Sequence, residues 1–174
     1  QVQHQFGLEW FHLSSDGGDY LPPFAIPYYA VRAGVAEGVD VGFRSSITLS
    51  NIAFDLKLQP VDTEAIDVAI APTLQYSWLW GWAHLPAMIG IGPSEHVQVV
   101  LSGRIAYAFP LVDDADPASR EGVFGTGSQV VAGGGLGLYV QIGRRFAVLP
   151  EVQAVRGLSE TDPWVLSLTF GFAF

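Results

Sequence analysis

Nine charged side chains sit at alternating positions inside otherwise apolar runs: Glu9, Arg32, Asp40, Arg44, Asp55, Lys57, Asp67, Arg104 and Glu151. Charges interleaved in this way share one face of an extended chain. Two chemistries suit such a face. The charges can neutralise one another as ion pairs filling a narrow interior. They can instead line a hydrated path for small polar solutes. An isolated charge in either setting is costly unless paired or hydrated. The four histidines, His4, His12, His84 and His96, show no metal-ligand spacing such as HExxH. No metal or cofactor is expected. A hydrolase would need a nucleophile, a base and an orienting carboxylate within hydrogen-bond reach. His84 with Ser77 and an acidic loop is conceivable, but no spacing selects it, so no catalytic residue is assigned. The acids of Pro110–Ser128 (Asp113, Asp114, Asp116 and Glu121) lack the full spacing of a calcium loop. A solvated loop is the plainer reading.

These faces need strands to carry them. Hydrophobic residues make up 49% of the 174 residues and charged residues 14%, and the mean hydropathy is +0.32. A soluble domain usually carries nearer a quarter charged residues. No run of about 18 apolar residues exists to form a membrane helix. The apolar excess is therefore spread over short segments of period two. Trp164, Leu166, Leu168, Phe170, Phe172 and Phe174 share one face, and Val165, Ser167, Thr169, Gly171 and Ala173 the other. The same division recurs in Gln3–Leu13, Ile26–Ala36, Val39–Arg44, Ile52–Gln59, Ile66–Gln75, Val97–Tyr107, Leu136–Ile142 and Phe146–Ala154, with a further strand near Leu85–Gly92. A soluble sandwich hides its large residues. A transmembrane barrel turns them to lipid and keeps small or polar residues inside.

The connections alternate in length. Short ones are expected at Ala36-Glu37-Gly38, Asp62–Ala65, Pro93–His96 and Gly143–Arg145. Longer ones are expected at Ser14–Phe24, Ser45–Asn51, Ser77–His84, Pro110–Ser128 and Arg156–Pro163. Short periplasmic turns and long outer loops are the habit of outer-membrane barrels. The expectation is an all-β, single-domain, antiparallel up-and-down barrel of about ten strands over residues 1–174, both termini periplasmic. Val35 opposite Val39 would close the first short turn, with Gly38 at a positive-φ position. Arg32 would then lie opposite Gly42 and diagonal to Asp40 and Arg44.

Aromatic residues gather near strand ends: Tyr28, Tyr29, Trp78, Trp80, Trp82, Tyr107, Phe109, Phe146, Trp164 and Phe174. Amphipathic rings favour the headgroup level. Tyr29, Trp78, Trp80, Trp82, Trp164 and Phe174 are the expected membrane-interface set, with the Trp cluster in an outer loop. The first residues, Gln1 to Gln5, show no charged-then-apolar export pattern, as expected of a mature form.

Val165–Phe174 resembles the β-signal of bacterial outer-membrane proteins, with Leu168, Phe170, Phe172 and Phe174 as its apolar positions. That resemblance implies the outer membrane as location and its assembly machinery as a partner. It covers ten residues, and no narrower family follows from it. The net charge is −9, which excludes a basic stripe for nucleic acid. Three functions remain open: a non-enzymatic narrow pore or structural component, with other envelope proteins as partners in the latter case; a surface enzyme acting on lipid or peptide; and an adhesion barrel using its outer loops.

Overall fold

The computed structural model describes residues 2–14, 21–47, 50–63, 65–77, 80–94, 96–111, 128–143, 146–158 and 164–174. Period-two patterning gives strands β1 (Val2–Ser14), β2 (Leu21–Ala36), β3 (Val39–Ser46), β4 (Asn51–Asp62), β5 (Ile66–Ile70), β6 (Thr73–Ser77), β7 (Trp80–Ser94), β8 (Val97–Pro110), β9 (Gln129–Ile142), β10 (Phe146–Gly157) and β11 (Trp164–Ala173). Each pairs antiparallel with its neighbours, and β1 pairs with β11. The sheet closes on itself and leaves no edge.

β5 and β6 are two halves of one stave. On β7 both keep a single register, with Ile66 opposite Ile91 and Thr73 opposite His84; on β4 a β-bulge falls between Leu58 and Val61. The break falls at Ala71-Pro72, because proline has no N–H to give the ladder. The ladder is carried past it by Ala71 N–H donating to Pro86 O and Leu56 N–H donating to Pro72 O. The barrel therefore has ten staves. The expected single strand Ile66–Gln75 is present with this interruption.

Three other expectations are corrected. Val35 does not oppose Val39: Ala36 does, and Val35 is the extra residue of a β-bulge between Gly34 and Ala36. The chain reverses through Glu37-Gly38, with Gly38 at φ 68°, where a Cβ would be strained. The bulge absorbs the odd residue, so the expected Arg32–Gly42 pairing still holds. The connection expected at Ser77–His84 shrinks to positions 78–79, because β7 already begins at Trp80. β2 likewise begins earlier than expected, at Leu21.

The burial pattern is inverted relative to a soluble protein. Ala53, Ala69, Ala106, Ala108, Ala147 and Ala173 are buried, facing inward. Leu101, Ile105, Leu136 and Val152 face outward and are close to half exposed (49–55%). An apolar surface wrapping the whole circumference is far larger than a soluble monomer tolerates. β8 and β9 have 14 residues each. At about 3.3 Å per residue and a tilt of about 40° they rise roughly 35 Å, more than the ~25 Å apolar band of such barrels.

Candidate functional site: the lumen

The lumen is built in two levels. Nearer the end that carries the termini and the short turns, Arg32 on β2 faces Asp55 on β4 across the width of β3. Gly42 makes this possible. It pairs with Arg32 on one side and Asp55 on the other, and a Cβ there would stand 2.3 Å from the Asp55 carboxylate. With no side chain between them, Arg32 Nη2 reaches Asp55 Oδ1 at 2.5 Å. Asp55, two strands away, is thus the ion-pair partner of Arg32; the diagonal neighbours Asp40 and Arg44 are not. Lys57 lies within electrostatic reach of Asp40, Asp62 and Asp67. Asp67 on β5 accepts from Gln98 Nε2 at 2.5 Å and from Gln59 Nε2 at 3.5 Å.

Midway along the barrel, Arg44 on β3 bonds Glu9 on β1 and lies over the Tyr28 ring, 4.3 Å from its centroid. Tyr28 is 3% exposed and points across the lumen. Its ring lies over Gly7, where a Cβ would stand 2.5 Å from it, and its hydroxyl lies over Gly171, 2.9 Å from a would-be Cβ. The Tyr28 hydroxyl accepts from Gln5 Nε2 at 2.8 Å. Glu9, Thr169 and Glu151 form one row across β1, β11 and β10. Glu151 accepts from Ser102 Oγ at 3.0 Å, and Arg104 lies within electrostatic reach of both Glu9 and Glu151. Arg44 and two carboxylates, Glu9 and Glu151, thus gather around Tyr28, with Arg104 in reach of both carboxylates, and these side chains form a charged constriction.

All nine charges singled out from the sequence lie on the inward face by register. The six aromatics expected at the membrane interface divide. Tyr29, Trp164 and Phe174 face outward. Tyr29 packs against Phe6 with the rings tilted and centroids 4.9 Å apart, and shares a 2.7 Å hydrogen bond with His4 Nδ1. Arg156 sits over Trp164 at 5.6 Å. Trp78 lies outside the described residues, as do the acids Asp113, Asp114, Asp116 and Glu121. Trp80 and Trp82 are corrected: they lie on β7, opposite Pro110 and Ala108, on the inward face. The pattern Trp80-Gly81-Trp82-Ala83-His84 is a strand period with its large residues inside. Phe109 on β8 covers Gly81 from outside, 2.4 Å from a would-be Cβ. Large rings read as lipid-facing or loop residues because most large residues here are. Tyr28 departs from the girdle for the same reason.

His84 stacks on Trp82, with ring centroids 5.8 Å apart, and both its ring nitrogens are buried without a hydrogen-bond partner among the described residues. It pairs with Thr73, whereas Ser77 pairs with Trp80. About 13 Å of strand separate Ser77 from His84, so they form no nucleophile–base pair. No group of three or more metal-ligating side chains occurs among the described residues. Leu168, Phe170, Phe172 and Phe174 of the terminal strand all face outward, 37–53% exposed.

Two cavities open from the short-turn end, of 420 Å³ and 670 Å³. They share Gln3, Arg32, Tyr139 and Ala173, and the larger runs from Asp62 and Thr63 at the rim to Glu151 at the constriction.

A closed antiparallel barrel with an apolar outer belt and a polar, charged lumen is the fold of the bacterial outer-membrane β-barrels. Among solved structures it is similar to the NanC porin, which aligns over 97% of this chain and 98% of its own with a TM-score of 0.56 and 8% identity. The attachment invasion locus protein Ail of Yersinia pestis aligns over 99% and 97% (TM-score 0.43, 13% identity). The N-terminal β-barrel domain of Pseudomonas aeruginosa OprF aligns over the full length of both chains (TM-score 0.41, 15% identity). No protein-family model and no curated protein sequence matches the chain.

Proposed function

We propose that this chain is a narrow, non-enzymatic pore of the bacterial outer membrane, with its termini and short turns in the periplasm. In this reading the terminal strand Trp164–Ala173 is what the assembly machinery recognises, and the bilayer is the chain's main partner. The observation that carries the pore is the charge-lined 670 Å³ cavity that reaches the middle of the barrel. A barrel of about eight strands is just filled by its side chains, whereas 16 or more hold wide channels. Ten staves, with Gly and Ala at many inward positions, leave a partial opening. The NanC porin shares this fold.

Asp40, Asp55, Asp62 and Asp67 outnumber Arg32 and Lys57 on the cavity side of the constriction. A ring with excess carboxylate favours cations. Purified protein in a planar bilayer under a salt gradient is expected to carry a small steady current with a mild cation preference. A correctly folded protein that leaves the bilayer silent would contradict the pore reading.

A further inference from the structure

The basic residues of the lumen are not all matched. Arg32 bonds Asp55, and Arg44 bonds Glu9. Lys57 has Asp40, Asp62 and Asp67 around it. Arg104 has Glu9 and Glu151 within electrostatic reach, but both are engaged elsewhere, Glu9 by Arg44 and Glu151 by Ser102 Oγ. Among the described residues, none makes a hydrogen bond or ion pair with the half-buried Arg104 guanidinium. Its five N–H donors are therefore uncommitted.

Two groups beside it also lack partners. His84 is its diagonal neighbour, since Arg104 pairs with Pro86 and Ala106 with His84; diagonal neighbours are within reach of long side chains. On the other side Arg104 pairs with Gly133 of β9, and the next inward glycine, Gly135, pairs with Gln153 of β10. Gln153 lies across Gly135, where a Cβ would stand 2.8 Å from its Cγ. Both His84 ring nitrogens and Gln153 Oε1 are buried without a hydrogen-bond partner among the described residues. Buried polar atoms are ordinarily bonded, and an exception calls for a physical reason, a bound ion among them.

Charge selects the sign of that ion. The charged groups within electrostatic reach of His84 are Arg104 and Arg44, both cations. The larger cavity ends at Val100 on β8 and Glu151 on β10. Arg104, His84 and Gln153 stand beyond it, across the constriction from Asp40, Asp55, Asp62 and Asp67.

We infer that Arg104, with His84 and Gln153 beside it, forms a site for a small oxyanion of the phosphate class. A guanidinium fork meets an oxyanion through two parallel hydrogen bonds. Phosphate at neutral pH also carries an O–H, which can donate to Gln153 Oε1. A carboxylate lacks that donor, and chloride cannot engage the fork through two oxygens. Bound there, the oxyanion offsets Arg104 and leaves the lumen's excess of carboxylate in place. The site does not need current to flow, so it stands or falls apart from the pore reading.

The test is calorimetric titration of the folded full chain, in a detergent of no net charge, with inorganic phosphate, acetate and chloride. Phosphate is expected to bind at least about tenfold more tightly than chloride, with acetate between them, as the loss of charge-assisted hydrogen bonds implies. Arg104→Gln is expected to lower phosphate to the level of chloride. Arg104→Lys keeps the charge without the fork and should recover only part of the affinity; it also serves where the glutamine variant fails to fold. Arg156→Gln, on the outward face of β10, loses the same charge and should leave phosphate binding unchanged. Phosphate no tighter than chloride, or phosphate binding kept by folded Arg104→Gln, would overturn the site. An equal loss in Arg156→Gln would reduce it to general charge attraction and overturn it too. Acetate as tight as phosphate would overturn the assignment to the phosphate class.

Discussion

Leu101→Arg is expected to destabilise the folded barrel by about 2–4 kcal/mol, while the adjacent Val100→Arg costs at most about 1 kcal/mol. Leu101 is 49% exposed and faces outward near the middle of β8. A guanidinium there would sit in hydrocarbon, and β7, β8 and β9 carry no carboxylate to pair with it. Val100 lines the large cavity, whose excess of carboxylates would receive a cation. The two positions are neighbours on one strand, so strand propensity and synthesis are nearly matched. The difference isolates which face meets lipid. Urea unfolding of the two variants in lipid vesicles measures it. Equal costs, or a larger cost at Val100, would mean that the barrel is not oriented toward a bilayer as described.

Arg44→Ala is expected to lower stability by about 1–3 kcal/mol by leaving Glu9 without its partner. The estimate lies below that for a fully buried pair because the Arg44 side chain is 37% exposed, although Glu9 is only 13% exposed. Adding Glu9→Gln should recover part of the loss, since the pair and not either residue is what the lumen holds; a coupling of about 0.5–3 kcal/mol is usual for residues in contact. The same variant should raise single-channel conductance severalfold. Arg44 covers the Tyr28 ring, and together they project into the middle of the lumen. Stability unchanged by either substitution, or conductance unchanged despite intact folding, would show that this cluster is not the constriction.

How much of this was legible in the sequence follows from what period two can and cannot say. The face to which Asp55, Lys57, Arg104 and Glu151 belong is fixed by apolar neighbours on both sides, and a one-residue slip would reverse it. Lys57 therefore reads correctly from Phe54, Leu56 and Leu58 alone. Partner choice is a different matter. Arg32 meets Asp55 because Gly42, on the strand between them, carries no side chain. That relation spans three strands, and pairwise diagonals pointed to Asp40 and Arg44 instead. Ring size alone points Trp80 and Trp82 to lipid, whereas the register turns them inward. The period through Trp80, Trp82 and His84 was present, but Gly81 and Ala83 made the outward face look too small for one. Phe109, on the next strand, supplies the missing outward bulk. Tyr28 shows the same limit: its inward seat depends on Gly7 and Gly171, two glycines far apart in sequence that share its place in the wall. Pro72 gives no warning of the break in the fifth stave, because alternation continues through it unchanged.

The account turns on solute passing along the face that Val100 lines. The chain contains no cysteine, so a single introduced thiol is the only one present. The decisive measurement is single-channel current through Val100→Cys in a planar bilayer, before and after a charged, water-soluble thiol reagent, with Leu101→Cys as the lipid-facing counterpart. The account predicts steady current in both, reduced by the reagent only for Val100→Cys. A current that the reagent leaves unchanged at Val100→Cys, or no current from folded protein, would contradict it.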